Sequence, residues 1–321
     1  MREAQLPAVF VKYHDIVHYV RRATENEWSS SCPECGGSVH EDGEWPDRCR
    51  WRTDGKPRGW CRRCGTIFWP DDNYVFDPAA EAKWQKEQAE RELARKRSAE
   101  RALKNLEDSR VWEQYHAQLD AASRRLWRDR GIPDSLQDFW MLGYGKQHPF
   151  WTDGQEFYSD TITIPIFGPQ WAPLNVKHRL LQPAKSGDKY RPEFSGFPQP
   201  LLLTDPDADL EGEVMAIEGE IKSMVVATSI GTALGQIVGM PGMTPGKHIT
   251  DQLAKAEKLT IIVDPGGREA AWKICKAVGP EKCHVLVPTE RMGKIDDYIV
   301  KYSPTSDELR WMIRQEAKPA W

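Results

Sequence analysis

VMAIEGEIKS, residues 214–223, is a short apolar run closed by an acid, a glycine and then helix-forming residues. The run is too short for a buried helix and reads as a strand, with Glu218 delivered at its carboxyl end and Gly219 opening the turn. The pattern recurs downstream. LTIIVDPGG (259–267) carries Asp264 out of a second strand, and HVLVP (284–288) is followed by KIDDYI, which supplies Asp296 and Asp297. Short strands alternating with helical segments predict a parallel α/β sheet whose working residues lie at the carboxyl ends of its strands. Carboxylates gathered there suit Mg(II) or Mn(II), hard ions that take carboxylate oxygens and substrate phosphates.

Upstream, TITIPIF (161–167) and PLNVKHRL (173–180) alternate and are rich in β-branched residues, which predicts strands. They follow helix-like VWEQYHAQLDAASRRLWRDR (111–130). Between Pro78 and Ser109 the chain has no glycine, no internal proline and abundant Ala, Glu, Lys and Arg. That composition predicts a solvated helical linker held by i,i+4 charge pairs. At the start, Val11, Ile16, Val17 and Val20 are spaced as on one face of a short helix. Near the end, Thr305 and Glu308 form the capping box of an amphipathic helix.

Two C-x-x-C knuckles, Cys32/Cys35 and Cys61/Cys64, each with a glycine behind, place four thiolates where tetrahedral Zn(II) takes them. Cys49 and His40 are spare donors between them. Four thiolates leave zinc no open position, so the metal is structural and the module a holder. It holds out RCRWRTDGKPRGWCRR (48–63), seven basic side chains against the single acid Asp54. Within that run Trp51 and Trp60 are candidates to stack on unpaired bases, the other reading being that they pack a small ribbon core, and Arg58 is a candidate phosphate contact.

A chain of 321 residues exceeds one core and implies several domains. Hydrophobic residues at 40% and charged residues at 29% exclude a disordered chain, and no apolar run is long enough to span a bilayer. No secretory pattern opens the sequence, so a cytoplasmic protein is expected, with no membrane partner. Seven cysteines in a reducing compartment read as metal ligands and core residues rather than disulfides, Cys275 and Cys283 belonging to the core. The net charge of -4 hides the basic run, which attracts phosphate backbones.

From Glu213 to about Tyr302 the chain resembles a TOPRIM domain, the catalytic fold of DnaG-type primases and some topoisomerases. RDRGIPDSLQDFWMLGYG (128–145), TITIPIF with NVKHR, and DKYRPEFSG (188–196) resemble, in family order, segments of the DnaG-type polymerase core. The ribbon, with a G-W before its second knuckle, resembles that of phage, plasmid and other mobile-element primases. The fold class implied is multidomain α/β. It comprises a zinc β-ribbon (1–75), a charged helical linker (76–110), an α+β subdomain of the primase core (111–211) and a TOPRIM parallel-sheet domain with a C-terminal helix (212–321).

The resemblance implies a DNA primase, a nucleotidyltransferase that makes short primers on single-stranded DNA from nucleoside triphosphates. Glu218, Asp264, Asp296 and Asp297 become its catalytic, metal-holding acids. Arg130, Lys177, Arg179, Lys189, Tyr190 and Arg191 match the positions that line the template and nucleotide path. The partners implied are single-stranded DNA, nucleoside triphosphates and, at the C-terminal helix, a replicative helicase; domain closure is the other reading of that helix. Two departures stand out. The family's D-x-D is here Asp264-Pro265-Gly266, and Lys222 stands where DnaG-type enzymes often place an acid. They keep open a second reading, a catalytically degenerate TOPRIM protein that binds single-stranded DNA. A TOPRIM nuclease or topoisomerase fits less well, since neither a fused ATPase nor a strand-passage region is visible.

Overall fold

The structure, a computed structural model, describes residues 5–36, 49–61, 64–72, 78–152, 155–182, 189–195, 199–231, 234–242, 246–289 and 292–320. By its internal contacts the chain divides into two compact units, Met1–Lys96 and Arg97–Trp321.

The first unit is built on one antiparallel sheet in sequence order, β1 (Arg21–Thr24), β2 (Glu27–Ser30), β3 (Cys49–Arg52), β4 (Arg58–Cys61) and β5 (Ile67–Phe68). So small a sheet cannot bury much aliphatic surface, and its core is aromatic. Trp51 lies within 5.0–5.5 Å, centroid to centroid, of Phe10, Tyr13 and Phe68. The helix expected near the start is only a 3-10 turn, Ala8–Tyr13, that packs Phe10 rather than Val11 or Ile16, both half exposed. Leu6, Phe10 and Val17 form the buried side instead. β-Branched residues lose rotamer freedom in helices, and a run this short gains too little to compensate.

α1 (Pro78–Ser109) is one long, largely exposed helix. Its pairs Glu87–Arg91, Glu92–Lys96 and Lys104–Asp108 are the i,i+4 pairs its composition implied.

The second unit continues from the end of α1 through α2 (Val111–Ala117), α3 (Ala121–Arg128) and α4 (Asp134–Phe139) into two sheets. One is an antiparallel meander, β6 (Gly143–Thr152), β7 (Gln155–Phe167), β8 (Pro173–Leu180) and β9 (Tyr190–Pro192). The other comprises β10 (Leu202–Leu203), β11 (Glu213–Glu218), β12 (Gln236–Met240), β13 (Lys258–Ile262), β14 (Cys283–Leu286) and β15 (Lys318–Pro319). Its order is β10-β12-β11-β13-β14-β15, parallel through the middle four and antiparallel at both edges.

Strand alternation explains why the run opening at Val214 is apolar throughout. Met215 and Ile217 face a core shared with α5 (Glu220–Ile230), α8 (Ile295–Tyr302) and α9 (Ser306–Glu316). Val214 and Ala216 face a second core shared with α6 (Lys247–Leu253) and α7 (Arg268–Val278), where Cys275 and Cys283 are also buried. A parallel strand covered on both sides has no polar face. The Thr305–Glu308 capping box opens α9. Among the described residues, no helix is long and apolar enough to cross a membrane.

Candidate active site

β11 ends in Glu218, and Gly219 takes φ +93° to turn the chain into α5, a conformation that a side chain would strain. The adjacent β13 leads to Asp264, whose backbone N–H donates to Glu218 Oε2 at 3.1 Å. Asp296 and Asp297 arrive differently, in the first turn of α8 rather than directly at a strand end.

A cavity of about 310 Å³ is lined by Glu218, Asp296 and Asp297 together with Arg130, Lys177, Arg179, Lys189 and Tyr190. Those residues are drawn from β11, α8, β8, β9 and the loops beside them. A larger cavity of about 560 Å³ shares Arg130, Asp296 and Asp297 with it. Asp264 meets the first cavity through Lys222, which lines it. Arg191 is half-buried on β9 and does not line it.

The electrostatics are those of a crowded mixed-charge site. Arg179 donates to the Tyr190 hydroxyl at 2.7 Å, and the Lys177 ammonium lies 4.9 Å above the same ring. Burial, followed by the charge of Arg179, lowers the Arg130 pKa. Burial, then the charge of Asp297, raises the Asp296 carboxyl above the usual range, while Lys222 pulls the other way. Asp296 Oδ1 is buried without a hydrogen-bond partner, an acceptor left for a cation to satisfy.

Three ion pairs were not visible in the sequence. Lys177 donates to Glu220 Oε1 at 2.5 Å, with the two side chains 10% and 3% exposed, so its ammonium is anchored to the first turn of α5. Lys222 donates to Asp264 Oδ1 at 2.5 Å, and Lys294 lies 3.7 Å from Asp264 Oδ2. The missing second aspartate has a local reason. The Gly267 N–H donates to the Asp264 carbonyl at 2.9 Å, and Gly266 has φ +86°, the geometry of a type II turn over Pro265-Gly266.

In the ribbon, the four sulfurs of Cys32, Cys35, Cys61 and Cys64 lie within 4.8 Å of one another. Cys32–Cys64 and Cys35–Cys61 are each 3.7 Å apart. A tetrahedron with Zn–S bonds of about 2.3 Å has edges of about 3.8 Å, so these two separations match its edges and the cluster fits zinc. Cys49 is buried outside the cluster with its thiol pKa pushed up by that burial, and His40 lies outside the described residues.

The expectation that Trp51 stacks on bases is corrected. Its ring is fully buried and its Nε1 donates to Ser30 Oγ at 2.7 Å, because Cys49 and Trp51 share the inward side of β3. Trp60 is 46% exposed and sits opposite Arg50 on the outer face. Arg58 is half-buried, and Glu27 holds both Arg50 and Arg52. Arg48, Arg62 and Arg63 lie outside the described residues.

His148, His178 and Glu193 form a second cluster of potential metal ligands, one that the sequence reading missed. His178 Nε2 donates to Glu193 Oε2 at 2.7 Å, and the Tyr115 hydroxyl donates to the same oxygen at 3.0 Å. The two imidazoles stack, centroids 4.0 Å apart and planes 21° apart. Planes so nearly parallel do not meet within reach of metal–nitrogen bonds of about 2.0–2.1 Å, so this arrangement joins β6, β8, β9 and α2 by hydrogen bonds.

Comparison with solved structures decides the fold. The Aquifex aeolicus primase, zinc-binding and RNA polymerase domains, aligns over 92% of this chain and 80% of its own, at TM-score 0.52 and 16% identity. The chain has the fold of a DnaG-type primase. A DnaG primase catalytic domain bound to single-stranded DNA aligns over 71% of this chain and 84% of its own, at TM-score 0.54 and 13% identity. A DNA primase domain from Pseudomonas aeruginosa aligns over 66% and 78%, at TM-score 0.52 and 17% identity. No family model matches the sequence, and no curated protein matches it. At such identities the likeness to DnaG-type primases is one of fold, and chemistry must be argued from the cavity.

Proposed function

We propose that the protein is a DNA primase, making short oligonucleotides on single-stranded DNA by metal-dependent nucleotidyl transfer in the cytoplasm. The observation that carries this reading is one cavity lined both by the acids Glu218, Asp296 and Asp297 and by Arg130, Arg179, Lys189 and Tyr190. On this reading residues 212–321 are the TOPRIM domain, 111–211 the N-terminal part of the polymerase core, 76–110 the linker and 1–75 a zinc-holding template reader.

The acids and the unpartnered Asp296 Oδ1 fit a hard divalent ion, Mg(II) or Mn(II). Bound there, it would polarise the α-phosphate of the incoming triphosphate. Arg179 and Lys189 hold the triphosphate, Tyr190 is oriented by Arg179 for the base or sugar, and Arg130 shares the cavity lining with Asp296 and Asp297. The 3' hydroxyl of the growing strand bonds to the α-phosphorus as pyrophosphate leaves, and its proton passes to Glu218 or to solvent. In the ribbon, exposed Trp60 with Arg50 and Arg58 offers stacking and charge to the template.

The test is primer synthesis by purified protein with nucleoside triphosphates, single-stranded DNA and Mg(II) or Mn(II). Product is expected, and Asp264→Ala is expected to abolish it. The second reading, a degenerate binder, is favoured by the lysines that hold both oxygens of Asp264. Single-strand binding without product in either metal would establish that reading instead.

A further inference from the structure

Two ions about 3.5–4 Å apart are a common arrangement for phosphoryl transfer, each needing carboxylate oxygens. In this cavity the oxygens are divided unequally. Both oxygens of Asp264 face ammonium groups, Lys222 at 2.5 Å and Lys294 at 3.7 Å. Glu218 Oε2 is engaged by the Asp264 N–H. Where another acid would extend the set, Gly266 turns at φ +86° with open space beside it. On the α8 side, by contrast, Asp296 Oδ1 is buried and unsatisfied.

We infer that the ammonium of Lys222 takes the place of one of two divalent ions, so that the cavity binds a single ion on its Asp296–Asp297 side. The inference rests on the reading of this cavity as a nucleotidyl-transfer site. Lys222 supplies a fixed positive charge at Asp264 without needing coordination geometry, and its side chain is only 14% exposed. It is held in place from two directions. Its stem packs over Gly219, whose added Cβ would lie 3.6 Å from Lys222 Cε, and its Nζ is bound to Asp264. A second ion at Asp264 would have to break that ion pair and then sit against a like charge. Lys222 and the turn at Gly266 thus act together: neither position adds an acid beside Asp264, and a cation stands there instead.

The test is Mn(II) titration of the zinc-loaded full chain, followed by the electron paramagnetic resonance of free Mn(II). One ion per chain is expected for the wild type and two for Lys222→Asp. Lys222→Met, which adds no ligand, is expected to keep one ion bound about tenfold tighter, the scale of removing one like charge a few ångströms away. Retained zinc content and an unchanged melting transition certify the variants as folded. Two ions on the wild type, or one on folded Lys222→Asp with Lys222→Met binding as weakly as the wild type, overturns the inference. One ion without primer synthesis supports the ion count and overturns the polymerase reading, whereas two ions with primer synthesis does the reverse.

Discussion

The ribbon and the acidic cavity both gather metal ligands, by opposite means. In the ribbon each pair of ligands is three residues apart in one turn, and an aromatic core braces the turns. Two pairs of sulfurs, Cys32–Cys64 and Cys35–Cys61, stand 3.7 Å apart, at the edge length of a zinc tetrahedron. In the cavity the acids come from segments up to 79 residues apart in sequence, Glu218 to Asp297, and lysines already compensate part of their charge. A site made by local spacing has ligand geometry ready for its metal; one made by convergence is adjustable, because each wall can change its charge separately.

The largest expected effect tests the local half. Removing zinc, by chelation or by Cys35→Ser, should unfold the ribbon, since a structural zinc contributes on the order of 10 kcal/mol to a fold this small. Trp51, now fully buried, should become solvent-exposed by fluorescence. Native Trp51 emission in metal-free protein would show that the aromatic core suffices alone.

The convergent half should be most sensitive at Lys177. Lys177→Met leaves Glu220 charged and buried, which is expected to cost about 3–5 kcal/mol in urea denaturation. The double variant with Glu220→Gln should recover most of that loss, and failure to recover would mean that packing, not charge, is what Lys177 supplies.

Gly59→Ala distinguishes the ribbon's packing from its metal. An added Cβ would lie 2.5 Å from the Trp51 ring, and overpacking of this kind costs about 1–3 kcal/mol. Zinc binding is expected to persist at a lower melting temperature; an unchanged melting temperature would mean that the ring moves freely. The contact also explains the glycine of the G-W pair.

A smaller effect is expected from pH. Burial, then the neighbouring His178, lower the His148 pKa to about 4. Above pH 6.5 the imidazole is neutral both folded and unfolded, and nothing is lost. Between about 6.5 and 4 the unfolded chain takes up the proton first, so stability should fall by about 1–2 kcal/mol on acidification after allowance for solvent screening. His148→Gln should flatten that part of the profile; an equally steep decline in the variant would assign it to other groups.

What the sequence made legible follows the same division. The knuckles, the capping box and the acids Glu218 and Asp264 at the ends of β11 and β13 are local patterns that the structure contains, whereas Asp296 and Asp297 open α8 instead of closing a strand. The period of two along β3 puts Trp51 on the inward side with Cys49, which decides for the core between its two readings. Lys177–Glu220 and Lys222–Asp264 were not legible, because their partners lie 43 and 42 residues apart with no period to join them. His148, His178 and Glu193 meet only because β6 and β8 flank β7 in the meander and β9 follows β8. At Gly266 the sequence shows only the absence of an acid, and the backbone requirement for glycine lies in φ +86°.

The most direct measurement is a crystal structure with Mn(II), a non-hydrolysable nucleoside triphosphate and a short single-stranded template. The account expects anomalous density for manganese on Asp296 and Asp297 beside Glu218, with the triphosphate on Arg179 and Lys189. Manganese absent from those acids, or a triphosphate bound away from that cavity, would contradict it.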